Sequence, residues 1–167
     1  MTEPIFLETD RLILRKFEEP DFSDFCEFAA DPERSRMMGS DPVATVEEAR
    51  ALFDWFLHRE KRAYALVLKE TGKVVGNLTV YDKPPVKIEG KTGCSLSFSV
   101  GQKYRRQGLI QEAMQAVIHR LFTTEDADCI CDGFFDFNIA SRALHQKLGF
   151  EPYTRLDGET FVILWRK

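Results

Sequence analysis

The hydrophobic pattern changes period several times along the chain, and each change marks an element. Leu12, Ile13 and Leu14 form an apolar run between Arg11 and Arg15, the sign of a first strand. After Pro20-Asp21 the apolar residues move to helical spacing (Phe22, Phe25, Cys26, Phe28, Ala29), and Asp31-Pro32 is read as the stop. Residues 33–44 have no period and read as irregular. Thr45 with Glu48 predicts a capping box for a second helix reaching Arg62, with Ala49, Leu52, Phe53, Phe56 and Leu57 inward. Residues 63–68 and 73–81 read as a hairpin turning at Glu70-Thr71-Gly72-Lys73; Pro84-Pro85 closes it, and 82–92 form a charged loop.

Residues 95–122 organise the rest. Ser95, Ser97 and Ser99 alternate with Leu96, Phe98 and Val100, a strand of period two. A basic turn, Arg105-Arg106-Gln107-Gly108, leads into an amphipathic helix that buries Leu109, Ile110, Ala113, Met114, Val117, Ile118, Leu121 and Phe122. Residues 128–135 read as a strand parallel to the central one. Asn138 caps a short helix over 139–148 that ends at Gly149, and a last hairpin, 151–156 with 159–166, turns at Asp157-Gly158. The order implies an α+β fold, equally describable as an α/β three-layer domain, with residues 1–167 as a single domain.

Composition narrows the partners. The net charge of −4 argues against a nucleic-acid binder, which would carry a basic face. No apolar run is long enough for a membrane span, and residues 1–10 lack the order of a signal peptide, so a cytoplasmic protein is expected. Cys26, Cys94, Cys129 and Cys131 do not make a disulfide framework, and with only His58, His119 and His145 no metal site is expected. Fourteen phenylalanines in 167 residues suggest a well-filled core or an aromatic-lined pocket. Chemistry concentrates at the basic turn: backbone N–H groups at a helix start, a residue without Cβ at Gly108 and two arginines suit a diphosphate.

Three stretches, in order, carry a family resemblance: Leu7-Glu8-Thr9-Asp10-Arg11-Leu12-Ile13-Leu14-Arg15, the turn from Arg105 to Ile110, and Asn138-Ile139-Ala140-Ser141 leading to Lys147-Leu148-Gly149-Phe150. Together they resemble the GCN5-related N-acetyltransferase superfamily over residues 7–165, and the opening is similar to the branch holding ribosomal-protein N-terminal acetyltransferases. The resemblance implies a mixed central sheet of about seven strands flanked by about four helices. It implies transfer of an acetyl group from acetyl-CoA to a primary amine, on a small molecule or a protein N-terminus, by direct attack in a ternary complex. The alternative is a CoA-binding module with little catalysis, a sensor or interaction protein.

By the same resemblance, Arg105, Arg106, Gln107, Gly108, Leu109 and Ile110 form the diphosphate loop, with Ile110 where the family carries a small residue. The backbone of Phe98, Ser99 and Val100 matches the strand that pairs with the pantetheine arm. Asn138 and Ser141 match positions near that arm and the departing thiol, which needs a proton; Ser141 is its positional donor. A strand N–H would steady the developing oxyanion. Relatives often carry a glutamate near Ser95, whereas this chain has no carboxylate from Cys94 to Val100. Asp82, Asp132 and Asp136 stay open as bases acting through water, with Ser141, Ser95 and Asp82 as the working catalytic set. Asn138 is also explained as a cap alone, His145 as a surface or packing residue, Tyr104 as packing for the turn, and Cys94 as a plain strand cysteine. Tyr153 is a further candidate proton donor, and the exposed edge of the last hairpin would allow a homodimer.

Overall fold

The computed structural model describes residues 6–60 and 62–167; residues 1–5, part of the stretch read for a leader, and Lys61 lie outside it. Among the described residues eight strands follow one another in the order β1-β2-β3-β4-β5-β6-β8-β7, with five α-helices, one strand and one helix beyond the expected numbers. The chain forms two compact units, residues 1–79 with 98–113 and residues 80–97 with 114–167.

In the first unit β1 (Leu7–Glu8), β2 (Leu12–Lys16), β3 (Ala63–Leu68) and β4 (Val74–Tyr81, to Thr79 here) pair antiparallel. Leu12 and Leu14, two apart on β2, are fully buried, as a period of two demands. Helix α1 (Phe22–Ala29) sends Phe25 and Phe28 into a core with Phe17, Phe53 and Phe56, whose rings meet largely edge to face. Eight of the fourteen phenylalanines are buried core residues.

Two readings need correction here. Residues 33–44 are not all irregular: Pro32–Met38 is a helix, α2, because Asp31-Pro32 is a start and not only a stop. The Asp31 carboxylate accepts the Glu33 N–H at 3.1 Å, proline fits the first helical position, and Gly39 (φ 66°) ends the helix. The next helix, α3 (Val46–Asp54), is capped as expected by Thr45, whose hydroxyl accepts from Glu48 N–H at 3.1 Å. It does not stay α-helical to Arg62, however. A wider π-turn takes over at Trp55–Arg59, and Glu60 is extended.

In the second unit β5 (Gly93–Val100, to Ser97 here) runs parallel to β6 (Cys129–Phe135), as expected. The parallel ladder is short: Gly93 faces Cys129 and Cys94 faces Ile130. On its other edge β6 pairs along its whole length with β8 (Glu159–Trp165), which pairs with β7 (Glu151–Leu156). Helix α4 (Leu109–Thr123) begins in the first unit and ends in the second, and its predicted apolar stripe is buried or half-buried. Helix α5 (Ile139–Lys147) begins at Asn138, whose side chain accepts the Ser141 N–H at 3.0 Å.

Candidate functional site

The turn before α4 is built from backbone conformation and braced from the chain's opening. Arg106 (φ 62°) and Gly108 (φ 77°) both lie in the left-handed region, which at Gly108 costs little and at Arg106 is tolerated strain. Turns of this kind can leave successive N–H groups unpaired and facing one side. Among the described residues no hydrogen bond engages the N–H groups of Arg106, Gln107 or Gly108. The fifteen-residue helix behind them adds its own unpaired N–H groups and partial positive charge.

Arg11 fixes the turn from the side. Its Nη1 donates to the Gln107 carbonyl at 2.8 Å, and its Nε to the Glu112 carboxylate at 2.8 Å. Thr9 Oγ1 and the Arg11 N–H also donate to Glu112, at 2.6 and 3.0 Å, and these bonds hold the Glu112 carboxyl below its ordinary range despite the burial that opposes them. The opening stretch thus braces the turn before α4, a role that local sequence reading does not reveal.

The two arginines part company. Arg105 is half-buried and its guanidinium pairs with Asp31, so it organises the protein rather than facing outward. Arg106 is exposed and has no hydrogen bond or ion pair among the described residues. Ile110, the second residue of α4, is half-buried, and Leu109 is 2% exposed, an anchor for the helix start. On the strand, Phe98, Ser99 and Val100 are all half-buried, and Ser99 passes so close to Gly76 of β4 that any Cβ there would overlap the Ser99 carbonyl.

In the second unit a buried network forms where the parallel ladder stops. Asp132, 1% exposed, places its carboxylate against β5: Oδ1 accepts the Leu96 N–H at 2.7 Å and the Ser95 hydroxyl at 3.2 Å. A side chain here takes the place of a strand carbonyl. Its Oδ2 lies 2.8 Å from His145 Nε2, and His145 is 2% exposed, with Phe134 stacked on the ring and Phe150 meeting it edge-on. His145 Nδ1 lies 2.7 Å from the Ser141 carbonyl and 3.2 Å from Ser141 Oγ.

Donor and acceptor counting places one proton. A carbonyl can only accept, so Nδ1 carries a hydrogen, and one further proton lies in the bond between Nε2 and Asp132 Oδ2. Asp132 and His145 form a buried hydrogen-bonded pair. Because Nδ1 is a donor it cannot take the Ser141 proton, which distinguishes this arrangement from a nucleophilic Ser–His–Asp triad. Ser141 keeps its hydroxyl hydrogen, and its N–H is held by Asn138.

His145 is therefore no surface residue, and Asp132, not Asp82 or Asp136, is the carboxylate that reaches Ser95. Asp136 is committed elsewhere: Arg155 Nε donates to it at 2.8 Å and Thr160 Oγ1 at 2.6 Å, holding its carboxyl low. Asp82 is exposed, just past the end of β4. Tyr104 sits half-buried near Gly101, and Tyr153 is 42% exposed on β7. Burial and Asp132 push the Cys131 thiol up to about 12, and Cys94 is buried, so the strand cysteines are packing residues. Glu19, Asp54 and His58 bring their ligand atoms within 4.8 Å of one another, but Arg50 already binds both carboxylates. Among the described residues, no helix is long and apolar enough to cross a membrane.

Comparison with known proteins meets this geometry from outside. The family model described as an acetyltransferase (GNAT) domain matches residues 11–151. The chain is 28% identical over 151 residues to the uncharacterized N-acetyltransferase p20 of Bacillus licheniformis, covering 87% of this chain and 82% of that one. It is similar in fold to a GNAT-family acetyltransferase from Bacillus anthracis (TM-score 0.81, 19% identity, 97% and 99% of the two chains). It is also similar in fold to a ribosomal-protein-S5-alanine acetyltransferase from Vibrio fischeri (TM-score 0.62, 16% identity, 96% of each). With the family's domain matched over most of its length, the chain belongs to the GNAT family of N-acetyltransferases.

Proposed function

We propose that this acyltransferase uses acetyl-CoA and acetylates a primary amine, on a small molecule or a protein N-terminus. The observation that carries the reading is the turn before α4, with its unengaged N–H groups at Arg106, Gln107 and Gly108 and an unpaired Arg106 guanidinium. Its conformation fits a diphosphate, and the fit comes from backbone rather than from Arg105, which Asp31 already occupies. The strand backbone at Phe98 to Val100 would hold the pantetheine arm, and acetyl-CoA would supply the activated acetyl group.

The remaining roles fall to the network around Asp132. Ser141, with its hydroxyl hydrogen retained, is the proton donor for the departing thiolate. His145 donates to the Ser141 carbonyl and fixes the first turn of α5, and Asp132 holds His145 while also binding Ser95 and the Leu96 N–H. Ser95 gives up its proton position to Asp132, so it orders a water rather than acting as a base itself. A protein acceptor agrees with the name of the Vibrio fischeri protein, a ribosomal-protein-S5-alanine acetyltransferase.

Calorimetry with acetyl-CoA tests the reading, with Arg106→Ala and Gly108→Val beside the wild type. Binding should weaken about tenfold in Arg106→Ala, as expected for one charge-assisted contact, and more in Gly108→Val, where a β-branched residue opposes positive φ. Wild-type protein that binds no acetyl-CoA would refute it.

A further inference from the structure

The first unit contains a buried cation with no counter-ion among the described residues. Arg34, on α2, is 6% exposed, and its hydrogen bond is from Nε to Ser99 Oγ at 3.2 Å. The carboxylate that feels its charge is Asp31, yet Asp31 accepts the Glu33 N–H and pairs with Arg105. One carboxylate thus faces two guanidiniums, and Arg34 has no ion-pair partner among the described residues. Burial pushes the Arg34 pKa below its ordinary value, with Asp31 only partly opposing. Isolated buried charges of this kind cost several kcal/mol unless something pairs with them.

The groups beside it also lack acceptors. Arg34 donates to Ser99, so the Ser99 hydroxyl hydrogen goes to Asn77, whose Oδ1 accepts it at 2.5 Å. That direction fixes the Asn77 amide: its Nδ2 is a donor, 1% exposed as a residue, with no partner. Two residues along β4, on the same face, Thr79 Oγ1 is likewise buried without a partner. Ser99 links the arginine to the amide, and what this cluster lacks among the described residues is an acceptor carrying negative charge.

Resting on the acetyltransferase reading above, we propose that Arg34, Asn77 and Ser99 form a carboxylate subsite. Arginine binds a carboxylate through a planar fork, and an amide N–H beside it completes the recognition. The carboxylate has two chemical sources: the acceptor, as an amine that also bears a carboxylate, or the acyl group, as the dicarboxylic homologue of acetyl-CoA.

Three arms of one experiment decide it, on wild type, Arg34→Gln and Arg34→Lys. In the acceptor arm, thiol release from acetyl-CoA is compared for α-amino acids and the amines left after decarboxylation. In the acyl arm, calorimetry compares succinyl-CoA with acetyl-CoA. In the third arm the Asn77 side-chain amide resonance is followed while sodium acetate is added, which needs no CoA chemistry. The carboxylate-bearing member of the acceptor or the acyl arm should be preferred about tenfold or more by wild type. Arg34→Gln should erase the preference without changing acetyl-CoA affinity, and Arg34→Lys should keep part of it. Acetate should shift the Asn77 amide saturably in wild type and not in Arg34→Gln. A flat acetate titration, or no preference in either substrate arm while acetyl-CoA binds, would leave water as the cluster's occupant and overturn the subsite. Failure of acetyl-CoA to bind would refute the acetyltransferase reading instead, and the acetate arm would still decide this one.

Discussion

Two buried polar clusters in this protein have opposite accounts. Around Asp132 both carboxylate oxygens and both imidazole nitrogens of His145 have partners, and the pair is internal. Around Arg34 the charge has no ion-pair partner among the described residues, and the Asn77 and Thr79 side chains keep unused hydrogen-bonding atoms. Depth does not separate them, since all of these residues are nearly inaccessible. Closure does. A closed cluster spends its interactions on holding atoms in place, whereas an open one keeps them for something that arrives from outside.

The contrast breaks most visibly at Asp132. Asp132→Ala leaves the buried His145 Nε2 and the Leu96 N–H without their partner, and urea denaturation should show a loss of about 2–5 kcal/mol, the cost of two buried polar groups left unpaired. The double variant Asp132→Ala with His145→Leu removes both members of the pair. It should recover to within about 2 kcal/mol of wild type, a coupling read directly from the cycle. Arg34→Met should go the other way, leaving stability unchanged or raising it by about 1 kcal/mol, because an uncompensated charge is replaced by a chain of similar reach. Equal losses at Asp132 and Arg34 would dissolve the distinction.

A surface pair provides the smallest effect and a baseline. Asp136 is held low chiefly by Arg155, so its contribution is present above the ordinary aspartate range and is lost as pH falls through the lowered folded-state value. Urea midpoints taken from about pH 5 down to about pH 2 should fall with acid, and less steeply in Arg155→Ala. The change should be slight, since the Arg155 side chain is 73% exposed.

The open and the closed cluster were both hidden in the sequence, for the same reason. The strand, turn and helix at 95–122 are legible because their signals are local: a period of two, a glycine at positive φ, then a period near 3.6. Asn138 and Thr45 are legible as caps because their partners lie three residues away. Asp132 and His145 are thirteen apart, and their meeting depends on how α5 returns against β6. Arg34, Asn77 and Ser99 come from three separate elements. Helix α2 was missed for a narrower reason: its seven residues, PERSRMM, have no apolar stripe, and Asp31-Pro32 serves equally as an ending and a beginning. Nothing in the neighbourhood of Arg105 along the chain reveals its pairing with Asp31, seventy-four residues away.

The bond from the Leu96 N–H to Asp132 gives the molecule a built-in gauge. An amide held by a carboxylate resonates differently from one held by a neighbouring strand, and its exchange with deuterium slows only while that carboxylate stays in place. One backbone proton on β5 therefore records the state of the Asp132–His145 pair without any substrate, label or change of residue. Following that single signal through each variant would show whether a loss of activity began in the chemistry or in the scaffold.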